Sequence, residues 1–191
     1  LKVLKGTAIE EEAEDAGIVY GAEPPYEVLY TADISYEELR KLKAVEEMLD
    51  CYYNSSQFER SIGFLEQCFD TPYELYEALA KYHKEHNYTV AQPSRVRRYE
   101  ILLEFFEQIR TRHKGPVYKD WADREELLKE CLVYDLYARE CLKKRPAFAP
   151  AVPERISKNE SRLRSDDQHI EHFEMLTGGR DLRFDYKNRD P

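Results

Sequence analysis

Ser35-Tyr36-Glu37-Glu38-Leu39-Arg40-Lys41-Leu42-Lys43-Ala44-Val45-Glu46-Glu47-Met48-Leu49-Asp50-Cys51-Tyr52 is the stretch that decides the fold. Leu39, Leu42, Val45, Leu49 and Tyr52 recur at the three- and four-residue intervals that line one face of a helix. Ser35 and Glu38 have the spacing of a capping box, in which the hydroxyl accepts from the amide three residues on and the carboxylate accepts from the serine amide. The stretch predicts an amphipathic helix with a marked start.

C-terminal to it, the break at Asn54-Ser55-Ser56 is followed by a second stripe, Phe58, Ile62, Leu65 and Phe69, which predicts an antiparallel pair with the first. Thr71 with Glu74 repeats the capping box and Pro72 suits the first helical position. That helix carries Leu75, Leu79, Tyr82 and His86 on its buried side and fades at Asn87. Ser94 opens a fourth helix, with Tyr99, Leu102, Leu103, Phe106 and Ile109 inside, ending near Gly115-Pro116. A fifth starts around Asp120 and runs through Leu127, Cys131, Tyr134 and Ala138 to Lys143. N-terminal to Ser35, Thr7 and Glu10 predict a third capping box, for a helix from Ala8 to Ala16 that stops at Gly17.

These signals predict a mainly α fold, a bundle of about five helices with a small C-terminal β-hairpin. Residues 1–20 form one unit, 21–34 with Pro24-Pro25 a connector, and 35–145 the bundle. Residues 146–167, with Pro146, Pro150 and Pro153, read as a polar loop. Residues 168–191 hold a Thr177-Gly178-Gly179-Arg180 turn and the alternating Leu182, Phe184 and Tyr186 of a hairpin.

The 191 residues carry 29 Lys+Arg against 38 Asp+Glu, a net charge of −9, which disfavours a nucleic-acid partner because affinity for phosphate backbones comes from Lys and Arg releasing counterions. Charge is uneven: residues 8–50 hold 13 acidic and 3 basic side chains, whereas residues 143–164 hold 2 and 7, which reads either as solvated faces or as attraction between the two ends. No apolar run reaches the length of a membrane span and no secretory signal pattern opens the chain, so the expected location is cytoplasmic, with no membrane partner. The chain opens at Leu1 without an initiator methionine, which reads as a piece of a longer protein.

Catalytic patterns do not assemble. His83 and His86, and His169 and His172, are spaced for a shared metal only on a helix and lack the glutamate of a His-Glu-x-x-His site, so the expectation is no metal ligands. Cys51, Cys68, Cys131 and Cys141 form no Cys-x-x-Cys pair; Cys131 and Cys141 lie about 15 Å apart on one helix and are read as core thiols. The seven glycines make no phosphate-cradling loop. No catalytic residue is assigned.

Leu4-Lys5-Gly6-Thr7-Ala8, a short acidic helix, and Gly17-Ile18-Val19-Tyr20 resemble the closing strand and helix of a radical SAM barrel, with Ala8 where such proteins often have proline. Pro24-Pro25-Tyr26-Glu27-Val28-Leu29, Leu42 to Met48, Tyr52-Tyr53-Asn54-Ser55 and the tail Phe184 to Pro191 resemble the uncharacterised region after that barrel in cobalamin-binding radical SAM proteins. Many of these are named after the anaerobic magnesium-protoporphyrin IX monomethyl ester oxidative cyclase. The resemblance implies an enzyme as parent, with a four-iron four-sulfur cluster, S-adenosylmethionine and cobalamin, and an upstream barrel as this region's partner. The cysteines here do not have the Cys-x-x-x-Cys-x-x-Cys spacing of the cluster loop, and His172 stands where the Asp-x-His-x-x-Gly cobalamin motif needs glycine, so no cofactor is assigned to these residues.

The expected role is therefore a non-catalytic accessory domain that shapes or covers a substrate site. The alternative is a helical interaction module recruiting a carrier or macromolecular substrate. Tyr52, Tyr53 and Asn54 are the candidate contacts at a helix end, with one tyrosine in the core and the other outside, since adjacent helical residues point about 100° apart. Arg95, Arg97 and Arg98 are the candidates for acidic groups. Leu1 to Lys5, read as a barrel strand without its neighbours, is expected to fray.

Overall fold

A computed structural model describes residues 2–89, 93–112, 121–142, 144–151 and 168–187. In it the Ser35 capping box forms in full: the Ser35 amide donates to Glu38 Oε2 at 2.9 Å and the Glu38 amide donates to Ser35 Oγ at 3.3 Å. The helix so started is α2, Tyr36–Met48. Before it come α1 (Ala8–Glu12) and a two-stranded antiparallel sheet of β1 (Val19–Tyr20) and β2 (Val28–Tyr30). After it come α3 (Glu59–Glu66), α4 (Pro72–Glu85), α5 (Arg95–Arg112) and α6 (Trp121–Arg139), then a hairpin of β3 (Gln168–Phe173) and β4 (Arg180–Asp185). The described residues are thus mainly α, with six helices and a C-terminal hairpin.

The helix starts differ in how they are held. Thr71 Oγ1 accepts from the Glu74 amide at 3.3 Å, and Ser94 Oγ accepts from the Arg97 amide at 3.3 Å. Thr7 does not cap: its hydroxyl donates back to the Leu4 carbonyl at 2.6 Å, while Glu10 accepts from the Gly6 amide at 2.6 Å. The capping box predicted there is replaced by a turn that closes on Leu4, and α1 is a single short stretch ending at Glu12. Gly17 takes φ +62°, and a Cβ there would lie 3.1 Å from the Ala32 side chain, so only glycine fits both the turn and the neighbour.

The predicted pairing of the first two stripes is corrected. Between α2 and α3 the chain passes through a π-helical turn, Leu49–Asn54, and the main packing is α2 on α4 and α3 on α6. The core gathers Val45, Met48, Tyr52, Phe58, Leu65, Leu79, Leu102, Phe106 and Leu132 from all five long helical segments. A smaller cluster of Val133, Tyr137 and Phe173, flanked by Leu182 and Phe184, joins α6 to the hairpin. Because α6 packs on α3 and α5 on one side and under the hairpin on another, its buried residues run Leu128, Glu130, Cys131, Leu132, Val133, Asp135, Leu136 and Tyr137, far wider than the predicted stripe, and Ala138 is exposed. On α4 the buried histidine is His83, with His86 outside.

The N-terminal segment does not stand free. Val3 is fully buried, its amide donates to the Tyr26 carbonyl at 3.0 Å, and Lys2 bridges Glu27. The predicted fraying fails because residues 26–27 of the connector supply the backbone partners that the segment needs. The predicted helix end near Gly115-Pro116, Lys143, and the loop residues 152–167 lie outside the described residues.

Candidate functional site

The buried polar side chains show what the interior can do chemically. Asp135 on α6 accepts from the Ser61 amide at 2.9 Å, the Ser61 hydroxyl at 2.7 Å and the Arg60 amide at 3.3 Å. It thereby supplies from a distance the cap that Phe58, at the N-terminal boundary of α3, cannot provide. Burial pushes the Asp135 carboxyl up from its ordinary value, and these donors oppose the shift. Five residues earlier on α6, Glu130 holds the turn that follows β3. It accepts from the amides of Glu174 at 2.9 Å, Met175 at 3.0 Å and Leu176 at 2.7 Å.

On the hairpin's inner face, Glu171 accepts from Arg145 at 2.8 Å and lies 3.1 Å from His169 Nε2, while the His169 ring stacks on Tyr137 with centroids 3.8 Å apart. Burial acts to raise the Glu171 carboxyl, but the His169 and Arg145 hydrogen bonds overcome it and hold the group below its ordinary value. In the main core the Tyr52 hydroxyl lies 3.0 Å from His83 Nε2. Burial drives the His83 imidazolium down to about 4, so the ring is neutral at physiological pH. Asp135, Glu130, Glu171 and His83 each meet a donor or acceptor from another part of the chain, so these contacts fasten the elements together, while His83 Nδ1 is buried without a hydrogen-bond partner among the described residues.

The sequence-predicted contacts separate. Tyr52 is 1% exposed and Tyr53 is 60% exposed, so the inside-outside split of the pair holds and only Tyr53 faces solvent. Asn54 is exposed and donates to Asp50 at 2.7 Å. Arg95 is bound to Glu140 at 2.6 Å, and Arg97 donates to Glu104 at 2.6 Å, to Glu100 at 3.0 Å and to the Tyr88 hydroxyl at 2.9 Å. Arg98 approaches Cys51, Tyr52 and His83 closely enough to bias their ionisation. The structure does not bring the tyrosine pair and the three arginines into one outward-facing site.

The thiols divide as well. Cys51 and Cys131 are buried, Cys68 is half-buried, and Cys141, predicted as a core thiol, is exposed because α6 ends at Arg139 before reaching it. Burial pushes the Cys131 thiol up to about 12. Among the described residues no group of three or more His, Cys, Asp or Glu is placed to hold a metal ion, and no helix is long and apolar enough to cross a membrane.

What the sequence reading missed is a concentration of exposed apolar residues in the N-terminal segment. Of the ten large hydrophobic residues exposed among the described ones, six fall before residue 37: Leu4, Ile9, Val19, Leu29, Tyr30 and Tyr36. They sit on α1, the β1–β2 sheet and their flanks. The alternation of β1 and β2 was too short to signal this, since two- and three-residue strands leave no period to detect.

Comparison with curated proteins and with solved structures returned no match. A family model, "Protein of unknown function (DUF4080)", matches residues 14–179, which takes in β1, β2, the five longer helices and all of β3. With most of its length so matched, the chain belongs to the DUF4080 family of proteins of unknown function.

Proposed function

We propose that this chain is a non-catalytic C-terminal accessory domain of a cobalamin-dependent radical SAM enzyme, seated against the barrel so that it helps to shape or cover the substrate site. The reading rests on the resemblance of residues 4–8, 17–20, 24–29 and 42–55 to the end of such a barrel and the region beyond it. The observation that carries it is the concentration of exposed apolar residues before position 37, Leu4, Ile9, Val19, Leu29, Tyr30 and Tyr36, in the segment that would adjoin the barrel. Side chains of this kind gain by being covered in the working protein. A covering domain would help keep water and oxygen from radical intermediates. Binding of acidic partners through Arg95 and Arg97 draws no support, since both already hold glutamates.

The test begins with the coding sequence upstream of Leu1, which should hold a Cys-x-x-x-Cys-x-x-Cys loop and a cobalamin domain; absence of both would end the proposal. The full polypeptide, purified without oxygen, should bind iron and a corrinoid and cleave S-adenosylmethionine. Leu29→Lys with Tyr30→Lys should leave this chain folded while loosening it from the barrel, seen as faster hydrogen exchange across residues 2–30. Unchanged exchange would show that these residues are not the contact.

A further inference from the structure

A groove of about 830 Å³ runs between α2, α4 and α5. It exists because Ala44, Ala78 and Ala80 stand where α2 passes along α4, leaving space that longer side chains would fill. Its walls include Phe69 and Phe105, whose rings stack in parallel with centroids 6.3 Å apart and planes 4° apart, and Val45 and Ile109 complete the apolar lining. A concavity of this volume matches the range that encloses small organic ligands.

The charge around the groove runs against the sign of the chain. Residues 8–50 contain three basic side chains; Lys43 is bound to Glu27 at 2.6 Å, and the other two, Arg40 and Lys41, both line the groove. Lys81 and Lys84 of α4 line it too. Among the described residues Lys41 and Lys84 have no ion-pair partner, and Lys81 has only Glu85 at 4.0 Å. The lining itself sets four cations against three carboxylates, Glu37, Glu74 and Glu77, with Glu85 beside Lys81 as a fourth, in a protein of net charge −9. Along α4 the order is Glu74, Glu77, Ala78, Lys81, Lys84, so one end of the helix face repels an anion and the other attracts it. Ten residues of rise separate Glu74 from Lys84, about 15 Å.

The geometry points to a binding site for a small amphipathic anion, a medium-length hydrocarbon carboxylate, with its chain against Phe69, Phe105 and the alanines and its head at Lys81 and Lys84. The carboxylate gains two exposed ammonium groups, and the chain removes apolar surface from water on both partners. Glu74 and Glu77 set the direction in which it lies. This site is independent of the accessory-domain reading, because it needs only the bundle.

Isothermal titration calorimetry with dodecanoate, kept below its micelle concentration, should give one site per chain. Dodecyltrimethylammonium, with the same chain and the opposite charge, should bind at least tenfold more weakly. Lys81→Glu with Lys84→Glu, both exposed positions, should weaken dodecanoate at least tenfold and narrow or invert the preference. Ala44→Trp, with unchanged circular dichroism, should abolish binding by filling the space. Failure to saturate, equal affinity for both amphiphiles, or undiminished dodecanoate binding in the lysine variant would overturn the assignment. So would a dimer that Ala44→Trp dissociates, which would give the groove to a second copy of the chain. If Ala44→Trp does not fold, the lysine variant decides alone.

Discussion

Tyr52 and His83 show how much one hydrogen bond between buried residues can decide. Tyr52 touches Phe58 and His83 edge-on, with centroids 5.1 and 5.7 Å away, so Tyr52→Ala removes both packing and the hydroxyl. That should cost about 3–5 kcal/mol in denaturant unfolding, whereas Tyr53→Ala, at an exposed site, should change stability by less than about 0.5 kcal/mol. Equal losses would contradict the split. His83 gives the pH dependence its direction. Its value is lowered in the folded chain to about 4 from 6.5, so the unfolded chain takes up a proton first as pH falls. The contribution is complete above about 6.5 and is lost progressively down to about 4, on the order of 3 kcal/mol in all. His83→Gln should flatten the stability curve between those limits, and an unchanged acid slope would show that the ring takes up its proton at the same pH in the folded and unfolded chain. From sequence alone these roles were half legible. The Tyr52-Tyr53 split follows from helical geometry, but the choice of His83 over His86 does not, because both lie near the apolar stripe and Tyr52, which meets His83 edge-on and within hydrogen-bond distance, distinguishes them only in the folded chain.

Asp135 and Glu130 act at the scale of elements, each joining α6 to a distant backbone. Asp135→Ala leaves the Ser61 hydroxyl and the first amides of α3 without an acceptor, and a loss of about 1–3 kcal/mol is expected in thermal or denaturant unfolding. Glu130→Ala should release the turn after β3, seen as faster hydrogen exchange at Glu174, Met175 and Leu176 while the amides within α4 stay protected. Uniform acceleration would mean that the hairpin and bundle open together. The helices themselves were legible wherever one face is apolar and the other wet, as in α2 and α4. They were less so in α6, where Glu130 and Asp135 are buried for their hydrogen bonds and burial on two sides erases the period on which a stripe depends. The π-helical turn was equally hidden, since Leu49–Asn54 continues the composition of α2, and its buried residues, Cys51 and Tyr52, are adjacent rather than spaced as a stripe. Deleting one residue there would rotate everything after it by about 100° relative to α2, a larger disturbance than any single substitution in the turn.

At the scale of the molecule, the two ends of the chain are held by different means. The N-terminal end depends on Val3 and the β1–β2 sheet, and Val3→Asp, placing an unpaired charge at a fully buried site, should unfold residues 2–30 and leave the helical signal of the bundle largely intact. Proteolysis with mass spectrometry would register that as cleavage confined to the first 30 residues. The C-terminal end depends on contacts that cross long stretches of sequence, which no local pattern announces. Glu130 reaches 44 residues forward to the Glu174 amide, so the hairpin's grip closes a ring of chain. The entropy of closing such a ring grows only with the logarithm of its length, about 0.6 kcal/mol for each doubling. A flexible spacer that doubled the ring should therefore lower the melting temperature by only a few degrees, because the hairpin's seat on α6 depends on the Glu130 contacts far more than on how much chain joins them.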